Sequence, residues 1–161
     1  MNLLNINRVS NNSGGIVSTI VDTRLMDSSA KLPERAHHTD AGADLFSTET
    51  FRLLPGEAKL VSTGVGVKIP AGYGGLVLNR SSQRATGITS LGTGLIDSDY
   101  RGELKVFLVN QGDIEYKVVA GETKIAQLVL VPVLLPVFVD SWNDTERGNG
   151  GFGSTDKAVN G

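Results

Sequence analysis

The sequence predicts an all-β domain, a sandwich or barrel of many short strands. Three observations carry that prediction. Glycine is in excess, 20 of 161 residues against an average usage of about 7%, and it is spread along the chain instead of being gathered into a linker. The glycines fall in turn-like stretches such as LPGE (54–57), IPAGYGG (69–75), NQGD (110–113) and VAGE (119–122). Between them lie short β-rich runs, the pattern of strands separated by tight turns.

In chain order the predicted strands are IVSTIVDTRL (16–25), AKLVSTGVGVKI (58–69), GLVLNR (75–80), ELKVFLVN (103–110), DIEYKVV (113–119) and KIAQLVLVPV (124–133). Ser81–Ala85 is the one predicted helix, stopped by Gly87. No internal repeat or charge run stands out. Residues 1–15 are expected to form a flexible N-terminus and residues 16–141 the core. From Trp142 onward the tail (142–161) is too polar and glycine-rich to pack by itself. Leu104–Val109 and Leu128–Val133 are apolar on both faces, whereas a sheet with one solvated face should alternate. Both faces must therefore be covered, by a second sheet or by another copy of the chain, and a homo-oligomer with an apolar interface is expected.

Composition narrows the function. A length of 161 residues suits one domain. Lys+Arg 15 against Asp+Glu 17 gives a net charge of −2, without the basic excess of a duplex-wrapping protein, so no nucleic-acid partner is expected. With Cys 0 there is no disulfide, thiolate metal site or cysteine nucleophile. The apolar stretch from Ile125 to Val139 is interrupted by Gln127, Pro132 and Pro136 and falls short of the ~20 residues of a spanning helix. The N-terminus lacks a basic start followed by an apolar run. A cytoplasmic protein away from membranes is the expectation.

Three segments could carry chemistry. In GLIDSDYRGELKV (94–106) two carboxylates, Asp97 and Asp99, share a turn between strands. This is either an ordinary hairpin of turn residues or a general base at a strand end, with Tyr100 as a flat wall beside it. In NRSSQRATG (79–87), Arg80, Ser81 and Ser82 either hold phosphate oxygens or simply cap the helix. ERGNGGFGST (146–155) is either a plain tail or a wrap for a nucleotide. The His37-His38 pair reads as polar surface and receives no role.

Taken together these segments gain meaning. AGADLFS (41–47), RSSQ (80–83), GTGLIDSDYRGELKVFLVNQG (92–112), GETKIAQLVLVPV (121–133) and RGNGGFGST (147–155) follow one another in an order that resembles the five motifs of the trimeric deoxyuridine triphosphatases, the dUTPases. The resemblance covers about residues 20–155. It implies a β-clip, or distorted jelly roll, assembled as a homotrimer with composite sites, hydrolysing dUTP to dUMP and pyrophosphate with Mg²⁺ on the phosphates. Carried onto this sequence, it implies Asp97 as the base that activates water and Tyr100 beneath the deoxyribose. Uracil would be read by main-chain groups of a β-hairpin around Gly94, Leu95, Ile96 and Lys105. Arg80, Ser81, Ser82 and Gln127 would contact phosphates, and Asp44 would reach Mg²⁺ through water. From the tail, Arg147 would meet the γ-phosphate, Phe152 would stack on uracil, and Gly153, Ser154 and Thr155 would close over the phosphates.

The chemistry of the reaction agrees with this set. Water attacking a polyanionic triphosphate needs charge cancellation by Mg²⁺ and Arg. Mg²⁺ keeps much of its hydration, so one water-bridged carboxylate can suffice. Buried backbone groups that read uracil are left unpaired by cytosine. Two positions depart from the family pattern: the second motif reads Arg-Ser-Ser where Arg-Ser-Gly is usual, and Asp156 follows Ser-Thr where glycine is frequent. The Arg-Ser-Ser form resembles the dCTP deaminases, which share the fold. Their glutamate, however, aligns with Phe107, and their usual Trp with Tyr100. A dUTPase fold acting by binding a regulatory protein is the third reading, and no segment identifies such a partner.

Overall fold

The computed structural model describes residues 20–90, 94–143 and 145. These residues form β1 (Thr23–Leu25), β2 (Ala43–Phe46), β3 (Phe51–Leu53), β4 (Ala58–Ser62), β5 (Val65–Val67), β6 (Tyr73–Leu78), α1 (Ser81–Ala85), β7 (Ile88–Ser90), β8 (Leu95–Ile96), β9 (Lys105–Asn110), β10 (Tyr116–Val118) and β11 (Lys124–Pro132). One sheet runs β2-β11-β6-β8 and a second β4-β9-β7, with two-stranded pairs β1-β5 and β10-β3 beside them. Every pairing between these strands is antiparallel. The fold is the expected nearly all-β one, with the single short helix at Ser81–Ala85. No helix among the described residues is long and apolar enough to cross a membrane.

The core forms where the two larger sheets meet. Leu45, Val77, Ile125 and Leu128 from the first join Val61, Val106, Leu108 and Ile88 from the second in one buried cluster. β9 shows why the sheets stack. Val106, Leu108 and Asn110 point inward at a spacing of two, while Lys105 and Phe107 point out. Each fully buried Val or Leu contributes roughly 1.5–3 kcal/mol. Asn110 is tolerated inside because every polar atom is used: Nδ2 donates to the carbonyls of Leu53 and Ile114, both at 2.8 Å, and Oδ1 accepts from Gly112 N at 3.0 Å.

Several expectations change. The run 58–69 is two strands, β4 and β5, broken at Thr63–Gly64. Gly64 has φ +65°, and a Cβ there would crowd Ala30, Asp27 and Thr48. In the run 113–119 only Tyr116–Val118 is a strand. Residues 16–19 of the first predicted strand, like the N-terminal 1–15, lie outside the described residues. β2, β3 and β7 are additional strands, each only three or four residues long.

The predicted hairpin across 94–106 is the far end of an antiparallel pair, since β7 just before it pairs with β9 just after it, Ser90 opposite Leu108. β8 pairs with β6 in the first sheet, and β9 pairs with β4 and β7 in the second. Residues 97–104 therefore carry the chain from one sheet to the other. The doubly apolar strands are not covered on both sides within this chain. Phe107 stands opposite Leu60 with both partly exposed. Beyond β11, Leu134, Phe138 and Trp142 are about nine-tenths exposed, at 92%, 91% and 88%.

Candidate functional site

The sheet-to-sheet crossing builds the first half of the site. Tyr100 N donates to Asp97 O at 3.2 Å, closing a tight turn. Arg101 ties the same turn through Nη1 to the carbonyls of Ser98 and Tyr100, both at 2.8 Å. Its far end is bolted to the β4–β5 link. Leu104 N donates to Val65 O at 2.7 Å, Thr63 Oγ1 donates to Leu104 O at 2.5 Å, and Gly64 N donates to a Glu103 carboxylate oxygen at 2.8 Å. Asp97 and Asp99 are left exposed at the tip of this fixed loop. Among the described residues, no donor engages the Asp97 carboxylate.

Beside the loop, where the sheets part, lies an open cleft of about 480 Å³ lined by Val77, Gly94, Ile96, Tyr100, Glu103, Leu104 and Lys105. Four sequence-predicted residues, Gly94, Ile96, Tyr100 and Lys105, are thus brought together. Leu95 lies between two of them on β8, half exposed. Gly94 and Ile96 line the cleft from one arm of the hairpin and Lys105 from the other. Tyr100 Oη donates to Glu103 O at 3.0 Å, which fixes the ring.

The second half lies across the first sheet. Register places Gln127 opposite Asp44 on β2 and opposite Leu78 on β6. Asp44 is nearly buried and carries two cations: Arg80 Nε at 2.7 Å from Oδ1 and Lys124 Nζ at 2.8 Å from Oδ2. Gln127 Nε2 donates to Asn79 O at 2.8 Å, holding the chain that leads into Arg80. Gly42 is required next to it, since a Cβ there would collide with the Gln127 amide.

Ser81 and Ser82 are the first two residues of α1 and are exposed. Neither is the N-cap. That position is Arg80, in extended conformation. The capping role falls to Gln83, whose Oε1 accepts from Arg80 N at 3.3 Å and whose Nε2 donates to Ile125 O at 2.9 Å. The unusual residue after Arg-Ser-Ser is therefore a buried clamp between helix and sheet.

Arg147, Phe152, Gly153, Ser154 and Thr155 lie outside the described residues, as does Asp156. No hydrogen bond or ion pair among the described residues joins the cleft to the Asp44 group. Sequence reading did not single out Glu103, Val77, Leu104 or Lys124. Only Lys124 left a signal, a cation three residues before Gln127 in the same motif. His37 and His38 stay at the surface, with His37 Nδ1 3.5 Å from Asp40.

The chain is similar to known proteins along most of its length. A family model for dUTPase matches residues 28–156. The deoxyuridine 5'-triphosphate nucleotidohydrolase of Clostridium tetani is 41% identical over 138 residues, covering 83% of this chain and 94% of its own. That of Clostridium kluyveri is 46% identical, covering 78% and 90%. Among solved structures, the Staphylococcus bacteriophage 80alpha dUTPase with dUPNHPP is similar at a TM-score of 0.74 and 34% identity, covering 85% of this chain and 98% of its own. A mutant dUTPase from phage phi11 of S. aureus, described with a coordinated structural Mg(II) ion, gives 0.72 and 32%, covering 78% and 98%.

Proposed function

This chain belongs to the dUTPase family, and on that premise we propose that it hydrolyses dUTP to dUMP and pyrophosphate, limiting uracil entry into DNA and supplying dUMP for thymidylate synthesis. The observation that carries the reading is the cleft, where main chain at Gly94–Ile96, the Tyr100 ring and Lys105 converge between two sheets. Uracil enters with its polar edge on the backbone of β8. Cytosine reverses donor and acceptor at N3 and at the 4-position and leaves buried groups unpaired. Tyr100, held by Glu103 O, lies beneath the deoxyribose and leaves no room for a 2′-hydroxyl.

Asp97 is the general base. Its carboxylate takes a proton from water as the water oxygen bonds to phosphorus and the anhydride bond to pyrophosphate breaks. Its exposed place at the tip of a braced turn supports this role. Arg80, Ser81, Ser82 and Gln127 hold phosphate oxygens, and Arg147, Phe152, Gly153, Ser154 and Thr155 of the tail complete the site. Asp44, a nearly buried carboxylate beside Arg80, is the residue that would hold Mg²⁺ through a coordinated water. When bound, Mg²⁺ cancels phosphate charge.

The functional unit is a homotrimer with sites shared between subunits. Two observations support it: no hydrogen bond or ion pair among the described residues joins the Asp44 group to the cleft, and the apolar segment Leu134–Trp142 is exposed. A pyrophosphate-release assay tests the activity: dUTP is turned over with Mg²⁺, while dCTP, dTTP and UTP are barely touched. Ammonia release from dCTP would establish deamination instead.

A further inference from the structure

We propose that Lys124 is a positioning residue of the phosphate site: it is the standing counter-ion of Asp44, and it lets Arg80 exchange Asp44 for a nucleotide phosphate. The proposal rests on Arg80 as a phosphate ligand, as read above. Without nucleotide, Arg80 Nε is paired with Asp44 Oδ1. A triphosphate competes for the same charge, and a nearly buried carboxylate stripped of its only cation would resist strongly. Lys124 removes that obstacle because it holds the other oxygen, Oδ2. When Arg80 leaves, the Asp44–Lys124 pair stays neutral, and Oδ1 is free for a new donor.

The fold places Lys124 there by a deliberate irregularity. Pairing along β2–β11 runs Gln127 to Asp44 and Ala126 to Leu45, then slips so that Lys124, not Ile125, stands opposite Phe46. Directly opposed residues share a face. The bulge therefore tucks Ile125 into the core, where it is fully buried, and turns Lys124 onto the face that carries Asp44 and Gln127. An unbroken ladder would put Ile125 on that face and Lys124 in the core. Once there, the ammonium lies 5.8 Å from the Phe46 ring centroid, so ring and carboxylate hold it jointly. Gln127 is occupied with Asn79 O and does not compete for Asp44.

The test is binding of an imido-bridged, non-hydrolysable dUTP analogue to the full chain by calorimetry in EDTA, in a double-mutant cycle. Lys124→Met and Lys124→Gln are each expected to weaken binding about tenfold in the native background and less than about twofold beside Asp44→Asn, where no charge is left stranded. Lys124→Arg is expected to restore native affinity. Deoxyuridine, which has no phosphate, is expected to bind all variants alike. Equal losses with and without the Asp44 carboxylate would overturn the proposal by making Lys124 a direct phosphate contact. Loss of deoxyuridine binding would overturn it by making Lys124 structural. A native chain that binds no analogue even with Mg²⁺ added back would overturn the proposed function itself, an outcome distinct from both.

Discussion

Gly102 lies directly under the Tyr100 ring, and its missing side chain is what lets the ring fold back over its own loop. A Cβ on Gly102 would collide with the Tyr100 hydroxyl and ring carbons. The positive-φ glycines are Gly56, Gly64, Gly72, Gly87 and Gly121, so at Gly102 the constraint is space and not backbone conformation. Gly102→Ala is therefore expected to leave the fold intact and displace Tyr100 from the cleft wall. The ratio of dUTP to UTP turnover should fall about tenfold, the scale of a pocket reshaped by one methyl group. Steady-state kinetics on the two nucleotides check this; an unchanged ratio would mean the ring does not gate the sugar.

Asp97 and Asp99 share one exposed turn but are expected to differ sharply. Asp97→Asn keeps shape and cannot accept the water's proton, so turnover should drop by about 10²–10⁴-fold with analogue binding retained. Asp99→Asn should change turnover far less. A larger loss at Asp99 would reverse the assignment.

Separation of the two half-sites predicts complementation between inactive chains. One carries Asp97→Asn and the other ends after Trp142. Dissociated and reassembled in equal amounts, they should regain about a quarter of the sites, since base and tail must each come from the intact contributor. Activity that stays at background, with subunit exchange verified by mass measurement, would place base and tail on one chain.

Acid should expose a stabilising pair away from the site. Lys59 Nζ sits 2.8 Å from Glu49 Oε2, and Ser62 N donates to Oε1 at 3.3 Å. The Lys59 hydrogen bond, first among the causes, holds the Glu49 carboxyl below its usual range against the opposing effect of partial burial. A lowered folded-state pKa stabilises above the unfolded value and is lost as pH falls through the folded one. Glu49→Gln should thus lower Tm by about 1–3 °C near pH 7, a partly solvated pair being modest. That deficit should close below the usual carboxylate pKa. A deficit independent of pH would show that charge is not involved.

The sequence was most legible where chemistry and local pattern coincide. The segments 94–105 and 80–82 stand out because turn residues, hydroxyls and charges are crowded between apolar runs, and the helix at Ser81–Ala85 is bounded by a glycine with φ +76°. Partnership between strands was harder to read. β8 and β9 flank one short turn, yet β8 is only two residues long, and its long-range pairing with β6 puts it in a different sheet from β9. Lys124 was opaque for a related reason: alternation counted from Gln127 puts it on the wrong face, and a one-residue bulge is invisible in a hydrophobic pattern.

The bare apolar segment after β11 has a thermodynamic consequence. Leu134, Leu135, Val137, Phe138, Val139 and Trp142 each leave most of their surface in water in the isolated chain. In the proposed homotrimer association removes that hydration cost, so folding and assembly are expected to be linked equilibria. Apparent stability would then follow mass action and depend on protein concentration. Dilution is expected to lower the melting temperature with no change in sequence or solvent, so that a midpoint measured at one concentration describes the ensemble at that concentration alone.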